Sequence, residues 1–112
     1  MDYKNLRAVN LTNHTIKLLD GTEVKPSGII CRCDYEEKEV GIFHDTPIIK
    51  YEYLSVYGLP PKSEGVIYIV SSIVLNAIRE TMPERDDCVA VGKLIKDRKG
   101  RVLAAQVLRL NG

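Results

Sequence analysis

Residues 65–82 read GVIYIVSSIVLNAIRETM, and the reading of this stretch decides the fold. Val66 to Val70 is an apolar, largely β-branched run with one tyrosine, the composition of a buried strand. At Ser71-Ser72 the period changes from two to about 3.6. Ile73, Val74, Ala77, Ile78 and Met82 then share one helical stripe, with Asn76, Arg79 and Glu80 opposite. A strand therefore feeds directly into a helix over 72–82. Either serine can serve as N-cap, and Pro83 stops the helix because it disfavours helical geometry at the residue before it. The first turn holds no Asp or Glu, so the positive end of the helix dipole is not offset by its own side chains. Two readings follow: a core helix capped by serine, which is the commoner arrangement, and an anion site at Ser71 and Ser72.

Downstream, CVAVGKLIKD and RVLAAQVLRL are two β-favouring runs joined by Arg98-Lys99-Gly100, a hairpin with Gly100 in the left-handed position of its loop. Upstream, LRAVNL (6–11) and TIKLL (15–19) read as short strands around a polar turn at Thr12-Asn13-His14. Asp20-Gly21 and Pro26-Ser27-Gly28 are further breaks. From Ile29 the chain alternates, with Cys31, Cys33 and Tyr35 on one face, and Glu36 to Glu39 is expected at the exposed end of a long hairpin. Another strand follows Pro47, where Ile49, Tyr51, Tyr53 and Ser55 alternate with Lys50, Glu52, Leu54 and Val56. The breaker-rich Leu59 to Gly65 leads back to the strand-helix unit.

At 112 residues there is room for one domain, 1–112, with one core. A hydrophobic fraction of 45% and a charged fraction of 28% are those of a folded globular chain. A net charge of +1 gives no general attraction to nucleic acid or anionic membrane. No apolar run approaches the roughly 20 residues that span a bilayer, and MDYKNLR is followed by no apolar leader core. A cytoplasmic protein without a membrane partner is expected. Three cysteines without a framework spacing are expected to stay reduced.

The chemistry on offer is sparse. There is no Gly-rich phosphate loop, and neither His14 nor His44 sits in a motif for nucleophilic catalysis, so no enzyme activity and no cofactor are expected. Cys31-x-Cys33 lacks the usual spacing of a zinc site and has apolar flanks, which favours buried thiols over a metal. Lys93, Lys96, Arg98, Lys99, Arg101 and Arg109 make the last hairpin basic. That segment lacks the aromatic residues single-strand binders interleave, so nucleic acid is the less favoured partner. Arg85-Asp86-Asp87 reads as a charged surface turn with an internal Arg-Asp pair, in preference to a catalytic carboxylate pair. His14, Arg32, Tyr53 and Arg85 are the polar residues least easily explained as filler.

Five segments, N-L-T-x-H-x-I (Asn10 to Ile16), Pro26-Ser27-Gly28, Tyr68-Ile69-Val70-Ser71, Arg85-x-Asp87 and G-K-L-I-K-D-x-x-G-R-V (Gly92 to Val102), together resemble a family of short phage, prophage and bacterial proteins without an assigned function. Members often carry proline where this chain has Asn13 and Val91. The resemblance implies a phage-like setting, host cell cytoplasm included, in which small proteins counter host defence. Some of these, termed sponges, oligomerise and bury nucleotide immune signals. This chain is similar to sponges in size and α+β character only, and no sponge motif carries over.

The fold expected is α+β: a strongly bent antiparallel sheet or small β-barrel with one packed helix. The function expected is a non-enzymatic, phage-type anti-defence binding protein that sequesters a nucleotide-type small molecule. In that reading Arg32, Arg85, Ser71 and Ser72 meet phosphates, Tyr53 stacks a base and His14 bonds a ribose or phosphate. The alternatives are a protein-protein interaction module acting on a host factor or in phage assembly, and a nucleic-acid accessory protein. A homo-oligomer, most simply a dimer, is expected because exposed strands in so short a chain are readily covered by a second copy.

Overall fold

A computed structural model describes Tyr3 and residues 5–110. The chain is mixed α+β, with strands β1 (Arg7–Asn10), β2 (Ile16–Lys17), β3 (Glu23–Val24), β4 (Arg32–Phe43), β5 (Thr46–Tyr57), β6 (Val66–Ile69), β7 (Cys88–Lys96) and β8 (Val102–Leu110), and one helix, α1 (Ser72–Thr81). β1, β6, β7 and β8 form one sheet in that order; β2–β3 and β4–β5 are separate two-stranded ribbons. No barrel closes among the described residues. The central sheet is also not antiparallel throughout, since β1 and β7 both run parallel to β6.

The strand-helix unit sits at the centre, as its composition demands. β6 is buried on both faces: Val66, Tyr68 and Val70 pack beneath α1 with Val74, Leu75 and Ile78. Ile69 faces the other way into a second core with Ile16, Val89 and Ala105. β7 divides likewise, Cys88 and Ala90 toward the helix and Val89 away from it. Ser71 is the N-cap, its hydroxyl accepting from the Val74 N–H, and the first turn contains no acidic residue. β6, α1 and β7 thus form a βαβ unit, which is how a ten-residue helix comes to join two parallel neighbours.

The long hairpin turns later than Glu36–Glu39. β4 continues to Phe43, and the turn is His44-Asp45, both at positive φ (49° and 60°). Positive φ at both central residues is the two-residue turn whose twist matches paired strands, and His and Asp are among the side chains that tolerate it. The hairpin is a projecting arm. Every residue from Asp34 to Glu52 except the half-buried Gly41 is exposed. The radius of gyration, 16.0 Å, exceeds the roughly 13 Å of a compact domain this long, in keeping with an arm that leaves the body.

At the arm's root, Gly58 has φ +78°, and a Cβ there would lie 2.7 Å from the Ile30 carbonyl oxygen. Strain and clash act together, so Gly58→Ala is expected to destabilise by about 1–3 kcal/mol. A thermal midpoint within 2 °C of wild type would show that the root relaxes freely.

Candidate functional site

Arg85 and Asp87 form a buried fork. Arg85 Nε donates to Asp87 Oδ1 and Nη2 to Oδ2, both at 2.9 Å, and Nη2 also donates to the Pro60 carbonyl at 2.9 Å. Asp87 is 0% exposed and Arg85 8%. The internal pair read from the sequence exists, but it lies inside the protein and not at the surface. Its position explains why. Asp87 immediately precedes β7, its carbonyl accepts from the Tyr68 N–H of β6, and the Tyr68 hydroxyl donates to the Pro61 carbonyl. The fork and the tyrosine together hold the Leu59–Pro61 segment against the central strands. The neighbouring Asp86 side chain pairs with Lys62, and its carbonyl accepts from the Tyr3 hydroxyl.

Arg85 and the helix start do not make one phosphate site. Ser71 precedes α1 and Arg85 follows it, the Arg85 N–H bonding the Met82 carbonyl. Ten helical residues at 1.5 Å each put roughly 15 Å between these ends. The Arg85 guanidinium faces Asp87 and Pro60. Ser71 has its hydroxyl turned to the Val74 N–H, and Ser72, the first helical residue, is exposed.

His14 belongs to a turn that Asn10 builds. Asn10, 1% exposed, donates through Nδ2 to the carbonyls of His14 and Val24 (2.8 and 2.9 Å). Its Oδ1 accepts from the Thr12 N–H and hydroxyl (2.9 and 2.6 Å). The N-L-T-x-H segment is therefore a staple joining β1 to the β2–β3 ribbon. The exposed His14 ring lies beside the Asn13 carboxamide, 3.3 Å away, and on the rim of an open groove of about 1020 Å³ between that ribbon and the β7–β8 hairpin. Ile16, Val91, Leu94, Leu103 and Ala105 line it together with Lys17, Lys93 and Lys96. Val91 stands at a register shift in the β7–β8 pairing.

Arg32 and Tyr53 lie on the arm. Arg32 is exposed at its root, opposite Tyr57. Tyr53 stands opposite Tyr35, and Tyr51 opposite Glu37, with Glu39 opposite Ile49 further out. Alternation puts these six on one face. Tyr35 meets Tyr51 edge-on at 5.0 Å between centroids and Tyr53 at 6.3 Å. The opposite face carries Glu36 against Glu52 and Lys38 against Lys50, with Lys38 reaching diagonally to Glu52. Toward the tip, Ile42 and Phe43 are 68% and 67% exposed. The tyrosine alternation was legible in the sequence. That both faces of the arm would be left in water was not, because alternation implies only that the two faces differ.

The thiols lie in the helix-side core. Cys31 and Cys88 are buried and Cys33 half-buried. Burial pushes the Cys31 thiol from an ordinary 9.0 up to about 11 and Cys88 up to about 12. Among the described residues no group of three His, Cys, Asp or Glu side chains is placed to hold a metal, and no helix is long and apolar enough to cross a membrane. The raised thiols carry a sign. Above pH 9 the unfolded chain releases these protons while the folded chain keeps them, so the unfolded state binds fewer protons and stability falls as pH rises toward 11–12. Denaturation midpoints between pH 8 and 10.5 should show this decline, with a smaller slope in Cys88→Ala. An equal slope in both would place its cause elsewhere.

A scan against protein-family models finds no match for the chain, and searches of curated proteins and of solved structures return no significant match.

Proposed function

We propose that this protein is a non-enzymatic binding module that engages a protein surface through the β4–β5 arm. The observation that carries the reading is the arm itself: two twelve-residue strands with no third layer over either face from Asp34 to Glu52. An isolated two-stranded ribbon is marginal in water. A concentration of exposed large apolar side chains on one element is a feature of contact sites. Val40, Ile42, Phe43, Ile48 and Ile49 cluster around the turn, and the three tyrosines nearer the root are the residue type that supplies binding energy at protein interfaces. A nucleotide trap draws less support, since Arg85 is committed to Asp87 and Pro60 and lies beyond the far end of the helix from Ser71.

A photo-crosslinking residue placed at position 43 in cells making the protein should give a protein adduct, and one at the exposed Glu80 of α1 should not. Absence of any adduct at 43 would sink the reading. A thermal-shift panel of linear and cyclic nucleotides covers the rival: a rise in midpoint that Arg32→Ala abolishes would favour nucleotide sequestration.

A further inference from the structure

We infer that the partner of the arm is the β7–β8 hairpin of a second copy of this chain, an inference that rests on the arm being a contact surface. Charge selects this occupant. Residues 34–52 hold six acidic and two basic side chains, a net −4, whereas residues 88–110 hold six basic and one acidic, a net +5. In a chain whose total is only +1, the separation sets two complementary surfaces on two hairpins. The apolar features match as well. The hairpin exposes Leu94, Val102 and Leu103 beside Lys93 and Lys96 around the groove. The arm offers tyrosine rings flanked by Glu37 and Glu39. Tyrosine faces attract lysine and arginine heads, and carboxylates beside them add direct pairing.

Reciprocity supplies the area. One arm from Tyr35 to Phe43 is roughly 30 Å of ribbon at about 3.3 Å per residue. Two copies related by a two-fold axis each give an arm and receive one, so the contact forms twice. That takes it toward the roughly 800 Å² per partner of a stable interface.

The test is light scattering of the full chain at micromolar concentration. Wild type should run at twice the 12.6 kDa chain mass, with association weakening severalfold as salt rises. Phe43→Asp with Ile48→Asp should give monomers, and so should Lys93→Glu with Lys96→Glu. Adding Glu37→Lys and Glu39→Lys to the latter should restore the dimer, which a merely misfolded variant would not do. If the arm variant loses its strand signal by circular dichroism, the charge-reversal set decides alone. A wild-type monomer overturns the inference, and an adduct at position 43 to a different protein would then leave the binding reading standing. A dimer indifferent to these changes, or one that charge reversal does not restore, overturns it because the copies meet elsewhere. Open-ended growth of mass with concentration overturns the reciprocal two-fold arrangement.

Discussion

Arg85→Ala should lower the unfolding free energy by about 3–5 kcal/mol, the range found when one partner of a buried ion pair is removed. The Asp87 carboxylate, 0% exposed, would keep the Cys88 thiol as a weak donor at 3.5 Å but lose both guanidinium bonds. The Pro60 carbonyl would lose its charged donor at the same time. For a domain of this size the change corresponds to a fall of roughly 12–25 °C in thermal midpoint, a large part of a typical total stability of about 5–15 kcal/mol. Replacing both partners, Arg85→Met with Asp87→Leu, should cost less than Arg85→Ala alone, because no unpaired charge stays buried. Arg85→Lys should recover only part of the loss, since an ammonium cannot reproduce the two parallel bonds. Chemical denaturation of the four proteins checks this. A loss under 1 kcal/mol for Arg85→Ala would mean that water reaches Asp87.

Asn10→Asp should be nearly as damaging, by about 3 kcal/mol or more. The substitution keeps the size of the side chain but removes the two N–H donors that hold the His14 and Val24 carbonyls, and sets a buried carboxylate against them. Each buried polar group left without its partner costs about 1–3 kcal/mol. Asn10→Ala removes the acceptor as well, leaving the Thr12 N–H and hydroxyl without it, but adds no charge and should cost less than the aspartate. The damage should be regional. Amide exchange should accelerate first in β2, β3 and the 12–14 turn, while α1 and β6 keep their protection until global unfolding. Uniform acceleration across both regions would show that the ribbon and the central sheet open as one unit.

The legible and illegible parts of this fold separate by mechanism. The switch of period at Ser71-Ser72 locates β6 and α1 because a strand and a helix place apolar residues at different intervals. The last hairpin is legible through Gly100 between two β-favouring runs. Strand direction is not encoded by alternation, so an antiparallel central sheet was expected where two of its three pairings are parallel. A clue lay in Val66 to Val70, whose unbroken apolar run suits a strand covered on both faces, the usual condition of parallel strands. The turn at His44-Asp45 lacks the glycine that marks most such turns, so the arm appeared shorter than it is. Of the candidate residues, the Arg85-x-Asp87 spacing revealed a pair but not its burial, which depends on the distant Leu59–Pro61 segment. Asn10, which organises the position of His14, showed nothing in its own neighbourhood of the partner at Val24.

The arm also divides the molecule by how freely its sequence can change. Side chains from Asp34 to Glu52 lie outside the two cores, so substitutions there should leave the unfolding free energy of the body nearly untouched. The fork at Arg85 and the staple at Asn10 have no such latitude. Libraries randomised at the exposed positions 35, 37, 39, 49 and 51 should accordingly yield a far higher proportion of folded variants than libraries of equal size drawn from β6 and α1.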